Sequence, residues 1–299
     1  MSVSRRTKAI LQALLVTLLW SSSWILVKQN IQSIPPLTFA GLRYTLAFLI
    51  LVPSAIRKRD EIRSLKKSDY GTLILLGLVY YAMTQGGQFL TLKHLDAIGF
   101  SLILNFSALI VALYAVIRGK ESPLPTQWLG MTIFLVGALL FFLPQTQNQG
   151  SLLGYGLAIF TMIANAASSV MGRDVNRNSR ISPIVITSIS MGVGGIVMLV
   201  LGLVLQGLPA IGLKGWLTIL WLAAVNTAFA FWLWNKSLQV LTAVESSVIN
   251  NTMLVQVAIL AWIFLGEKVT SLGIVGLVLA ALGILFVNLK PRLKQDQSA

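Results

Sequence analysis

Apolar residues run along this chain in blocks of about twenty, and polar residues gather mostly in short strips between the blocks. A helix rises about 1.5 Å per residue, so roughly 20 apolar residues cross the hydrocarbon core of a bilayer with every backbone group bonded inside the segment. Ten blocks reach that length: 9–27, 36–56, 70–91, 97–117, 127–143, 152–171, 184–205, 216–235, 243–264 and 270–289. The links are short and marked by Pro35, Pro36, Pro123, Pro125, Pro144, Gly150, Pro183 and Pro209, which leaves no room for an extramembrane domain. Arg5, Arg6 and Lys8 give the first block the look of a signal peptide. The block is too long for a cleaved apolar region and no small-residue cleavage site follows, so it reads as a retained span.

The pattern is doubled. Shifted by 146 residues, 97–141 lies over 243–287 with twelve identities, among them Ala97 on Ala243, Asn105 on Asn251, Glu121 on Glu267, Gly130 on Gly276 and Gly137 on Gly283. The chain therefore divides into 1–146 and 147–299, five spans each. An odd number of spans per repeat makes the second copy enter the membrane upside down. The expected fold is all-α and integral to the membrane: ten transmembrane helices as two inverted five-helix repeats, an architecture of secondary transporters.

Charge fixes the expected orientation. With the N-terminus in the cytoplasm, eighteen Lys and Arg fall inside, only Lys28, Lys93, Lys214 and Lys268 fall outside, and Arg43 lies within a span. That asymmetry supports an N-in, C-in protein of the cytoplasmic membrane and makes a nucleic-acid partner unnecessary to explain the net charge of +14. Only 11% of residues are charged, and the mean hydropathy is +0.81. With no cysteine and a single His94, no cofactor or metal centre is expected.

Several stretches resemble the EamA-type, ten-helix drug/metabolite transporters. Leu19-Trp20-Ser21-Ser22-Ser23-Trp24 with Lys28 is similar to that family's first helix, Pro36 to Ala47 with Arg43 to its second, and Leu265-Gly266-Glu267 to the Gly-Glu that ends its ninth. The chain departs from the pattern at Asn105-Phe106-Ser107 and Asn251-Thr252-Met253, where the family often has a proline, and at Gly119-Lys120-Glu121, where a lysine splits the first Gly-Glu. The resemblance implies a cavity lined by spans one, three, four, six, eight and nine, and export of amino acids or similar small metabolites.

The polar residues within spans concentrate on those same six. Trp20, Ser21, Trp24, Tyr81, Thr84, Gln85, Gln88, Asn105, Asn165, Asn226, Trp232, Asn251 and Gln256 form the candidate cavity set. Tyr81, Thr84, Gln85 and Gln88 recur at i, i+3, i+4 and i+7, one face of a helix. Arg43, about 10 Å into its span, costs about 2.5–3.5 kcal/mol at a helix centre and so needs a partner. It reads as a clamp on carbonyls or on Glu245, as a contact for an anionic substrate group, or as a side chain reaching to the outer face. Glu245 is a candidate proton carrier or a residue satisfying a helix dipole. Gly130, Gly137, Gly276 and Gly283 read as close packing between spans five and ten.

These features point to a secondary transporter, with small-molecule substrate and lipid bilayer as partners, and monomeric or dimeric. The rival readings are an uncoupled facilitator or channel and a membrane-embedded enzyme. The missing Walker loop speaks against ATP-driven transport, and the enzyme reading is disfavoured because there is no H-E-x-x-H, no G-x-S-x-G, no paired acids within a span and no His or Cys in the spans.

Overall fold

The computed structural model describes residues 5–117, 125–142, 151–178, 181–238, 240–241 and 249–288, and among these no strand occurs. They form α1 (Arg5–Asn30), α2 (Pro36–Ile56), α3 (Lys67–His94), α4 (Ala97–Ile117), α5 (Pro125–Phe142), α6 (Leu152–Asn178), α7 (Pro183–Gln206), α8 (Leu213–Ser237), α9 (Ile249–Leu265) and α10 (Ser271–Asn288). A five-residue helix, Arg59–Arg63, sits between α2 and α3. Seven of these helices are long and apolar enough to cross a membrane, and the apolar parts of α4, α9 and α10 are shorter.

Local chemistry explains the ends. Proline opens α2 at Pro36 and α7 at Pro183, where the missing N–H has no helical partner to lose. The Gln206 side chain accepts from Leu37 N at 2.9 Å and caps α2 from α7. Gly207 (φ 75°) ends α7, and Gly266 (φ 66°) ends α9 in the left-handed conformation that glycine adopts without strain.

Two helices carry a π-helical turn, α3 over Gly77–Gln85 and α8 over Ala224–Phe229. The shift of 146 brings the first onto 223–231, so the two turns hold equivalent places in the two halves. A π turn inserts a residue and leaves a carbonyl short of its usual partner. Here Thr84 Oγ1 donates to Val79 O at 2.9 Å and Thr227 Oγ1 to Leu222 O at 2.8 Å, each five residues back.

Packing repeats with the halves exchanged. α1 lies on α9 as α6 lies on α4, α3 on α6 as α8 on α1, and α7 on α3 as α2 on α8, while α2 packs on α7 and α5 on α10. The α5/α10 contact bears out the glycine reading: a Cβ on Gly137 would lie 2.5 Å from Gly276 O and Ala280 N, and one on Gly283 2.4 Å from Phe134 N. The α2/α7 contact is equally close, with Gly41 against the Leu199 backbone and Gly202 against Thr38. Trp24, Phe39, Tyr44, Phe100, Met191 and Phe231 belong to one buried apolar cluster that joins both halves.

The two positions without proline behave differently. α4 runs straight through Asn105, whose Nδ2 donates to Ser101 O at 2.8 Å. In α9 the helix is interrupted at Thr252, whose Oγ1 donates to Ile249 O at 2.6 Å, so a hydroxyl competing for a helix carbonyl loosens the turn without a proline.

Candidate functional site

Arg43 is 3% exposed and stays inside the bundle. Its Nε donates to Thr227 Oγ1 at 2.7 Å and Nη2 to Asn226 O at 3.4 Å, both on the π turn of α8, and its guanidinium lies 5.3 Å from the Tyr44 ring and 5.9 Å from Phe89. The partner is thus a backbone carbonyl and a hydroxyl supplied by the second half. Glu245, the acid considered for this role and for proton coupling, lies outside the described residues.

The candidate polar residues meet in pairs across helices. On α1/α9, Ser21 Oγ donates to Gln256 Oε1 at 3.0 Å, and Gln256 Nε2 reaches Thr17 Oγ1 (3.2 Å) and Thr252 Oγ1 (3.1 Å). On the equivalent α6/α4 contact, Asn165 Nδ2 donates to Ser107 Oγ at 2.9 Å. Tyr44 donates to Gln85 Oε1 at 2.8 Å between α2 and α3. Asn226 Nδ2 donates to Leu19 O and, at 3.2 Å, to Ser22 Oγ, joining α8 to α1.

Aromatic rings fill the space beside these pairs. Trp20 packs on Phe231 (5.1 Å between centroids) and Trp234 (5.2 Å), and Tyr81 packs on Tyr80 (4.9 Å), Tyr44 (5.6 Å) and Phe231 (5.7 Å). Trp24 stacks on Phe100 at 4.9 Å. Within this region Trp20 Nε1, Asn226 Oδ1 and Asn251 Nδ2 are buried without a hydrogen-bond partner. Such groups are scarce in folded proteins because each carries a desolvation cost of about 1–3 kcal/mol.

Not every candidate joins the set. Trp232 is 44% exposed and packs on Phe229 at 6.1 Å. Phe231 and Trp234 hold the inward positions, which leaves Trp232 on the other side of α8. Thr84 spends its hydroxyl on its own helix, and among the described residues Asn105 bonds within α4. Gln88 is half-buried.

Sequence reasoning placed too little weight on Lys28 and Glu267. Lys28 Nζ donates to Leu92 O (2.7 Å), in the last turn of α3, and to the O of Leu95, the residue that caps it. The Glu267 carboxylate accepts from Ala97 N (2.8 Å) and Ile98 N (3.0 Å), the first amides of α4. A cation on a helix C-terminus and an anion on the next helix's N-terminus both complement the helix dipoles. Together they latch α1 and α9 to the α3/α4 corner. Burial, the largest influence, pushes the Glu267 carboxyl above its ordinary range, while the two backbone N–H groups and Lys28 pull it down and Asp96 pushes it up.

The sequence profile of the EamA-like transporter family matches residues 7–143 and again 152–289. The chain belongs to that family. As an EamA-like chain it is a multi-pass membrane transporter, with two EamA repeats in one polypeptide. It is 24% identical over 290 residues to the uncharacterized transporter YvbV of Bacillus subtilis (strain 168), covering 96% of this chain and 93% of that protein. It is 22% identical over 273 residues, 87% of this chain and 83% of the relative, to an S-adenosylmethionine/S-adenosylhomocysteine transporter of Chlamydia trachomatis serovar L2. A solved crystal structure, 17% identical, shares the fold with a TM-score of 0.67 over 94% of this chain and 96% of its own. In this EamA-like chain the Gly-Glu at 266–267 has a physical account: Gly266 takes the left-handed turn, and Glu267 is then aimed at the start of α4.

Proposed function

We propose that this protein is a secondary exporter of small metabolites such as amino acids across the cytoplasmic membrane. Its ten helices would be two inverted repeats, 1–146 and 147–299, with both termini in the cytoplasm, working by alternating access as one half rocks against the other. The observation that carries the reading is the buried, unpartnered pair at the α1/α8 contact between the halves, Trp20 Nε1 as donor and Asn226 Oδ1 as acceptor, set among aromatic rings. A small ligand with an acceptor, a donor and an apolar body satisfies both atoms. The exchange-symmetric packing supports the inverted repeat, because a rocking motion that parts α1 from α9 has its mirror in one that parts α6 from α4. The Lys28/Glu267 latch then belongs to the closed outer end.

Proteoliposome efflux screened over amino acids, S-adenosylmethionine and organic cations, with and without an imposed pH gradient, tests the proposal. A transported substrate should lose flux in Trp20→Phe and Asn226→Leu variants that still fold. If a substrate is found and both variants carry it at the wild-type rate, the site is elsewhere. Flux that ignores the pH gradient rules out coupling to protons and with it a proton-carrying role for Glu245.

A further inference from the structure

A cleft of about 490 Å³ lies outside the polar pairs described above, on the flank of the bundle between α2, α7 and α8. Its apolar wall includes Ile50, Ala228, Phe229 and Trp232, and its rim carries Arg57 and Lys58. Ile50 is 47%, Phe229 42% and Trp232 44% exposed, so the cleft opens sideways, toward the acyl chains around a protein in a bilayer. The π turn of α8 lines the cleft: Ala224 and Ala228 give a floor of methyl groups, and Phe229 with Trp232, three residues on, stands as one wall.

The charges sit at one end only. Lys58 Nζ is 4.0 Å from Glu61, and Glu61 also accepts from Ser182 N, so this acid is shared between two partners. Arg57 has no ion pair among the described residues. Lys236 Nζ lies 5.1 Å over the Trp232 ring and adds a third cation on the α8 side. On the charge count this is the cytoplasmic end, where anionic headgroups attract basic side chains.

We infer that this cleft binds an anionic phospholipid, with the headgroup phosphate on Arg57 and Lys58 and an acyl chain along Ile50, Ala228 and Trp232. A soluble anion gains nothing from the apolar slot, and a neutral lipid gains little from the cations. An amphiphile with an anionic head uses both. The site is separate from the α1/α8 contact, so it stands or falls independently of the transport reading.

The test uses purified full-length protein stripped of lipid and titrated with phosphatidylglycerol, phosphatidylcholine or inorganic phosphate, followed by thermal unfolding and by tryptophan quenching with brominated phosphatidylglycerol. Phosphatidylglycerol should stabilise where phosphatidylcholine and inorganic phosphate do not, and its brominated form should quench. The double variant Arg57→Gln/Lys58→Gln should bind roughly thirty-fold more weakly, from about 1 kcal/mol per cation and 1.4 kcal/mol per tenfold. Ala228→Leu, which fills the floor, should lower affinity with both cations present, and Trp232→Phe should remove part of the quenching without unfolding the protein. Equal stabilisation by phosphatidylcholine, stabilisation by inorganic phosphate alone, or unchanged affinity in the double variant would each overturn the inference.

Discussion

Replacing Glu267 separates the two roles of its carboxylate. Glu267→Ala removes the acceptor of Ala97 N and Ile98 N and leaves two amides at the start of α4 unpaired. A hydrogen bond to a charged group contributes about 1.5–3 kcal/mol, but Glu267 is only partly buried, so water replaces part of each and the loss should be near that of a helix N-cap, about 1–2 kcal/mol. Glu267→Gln keeps one acceptor, loses the other and sheds the charge that burial penalises, so it should cost less than alanine, about 0.5–1 kcal/mol at neutral pH. Titration gives a second readout. Because the folded carboxyl is held above its ordinary range, the folded protein keeps a proton that the unfolded chain has already lost. The group therefore adds stability in full below the ordinary carboxylate value, and that contribution is lost as pH rises through the raised value. Unfolding midpoints in detergent across pH 4–8 would show this slope in wild type and its absence in Glu267→Gln. The reasoning fails if alanine and glutamine cost the same, or if the glutamine variant keeps the slope.

Three further outcomes are expected. Gly137→Val should cost 2 kcal/mol or more, about the range for overpacking, because its Cβ would sit 2.5 Å from backbone atoms of α10, and a thermal melt reads this directly. Arg43→Lys should cut flux by roughly tenfold or more in a protein that still folds, since a lysine lacks the Nε that reaches Thr227 and a bidentate reach costs about 1.4 kcal/mol or more to lose; unchanged flux would leave Arg43 without a transport role. Gly266→Ala should lose about 1 kcal/mol by strain at φ 66°, with Gly266→Asn losing less, as measured by unfolding midpoint.

The all-helical character was legible because a membrane helix announces itself in one dimension, by its apolar length, and seven of the helices are long and apolar enough to cross a membrane. Gly137 and Gly276 were legible as packing because repetition at a fixed spacing survives divergence. The partner of Arg43 was not, since Thr227 lies 184 residues away on a π turn, and one inserted residue disturbs the helical phase too briefly to show in a periodic pattern. The side of α8 that Trp232 takes was hidden for the same reason. Composition put it on a cavity-lining helix, but its side of that helix depends on phase, and Phe231 and Trp234 took the inward side. Lys28 and Glu267 were visible as residues and silent as a device, because neither names its partner: both bind main-chain atoms.

That last property reaches beyond stability. The atoms gripped by Lys28 and Glu267 are Leu92 O, Leu95 O, Ala97 N and Ile98 N, which every amino acid except proline at 97 or 98 would supply. The latch is therefore one-sided in heredity. The latch does not read the side chains at 92, 95, 97 and 98, which core packing constrains instead, so no compensating change there can restore it once Lys28 or Glu267 is gone, and a search for co-varying pairs between these positions and Lys28 or Glu267 would pass over the contact.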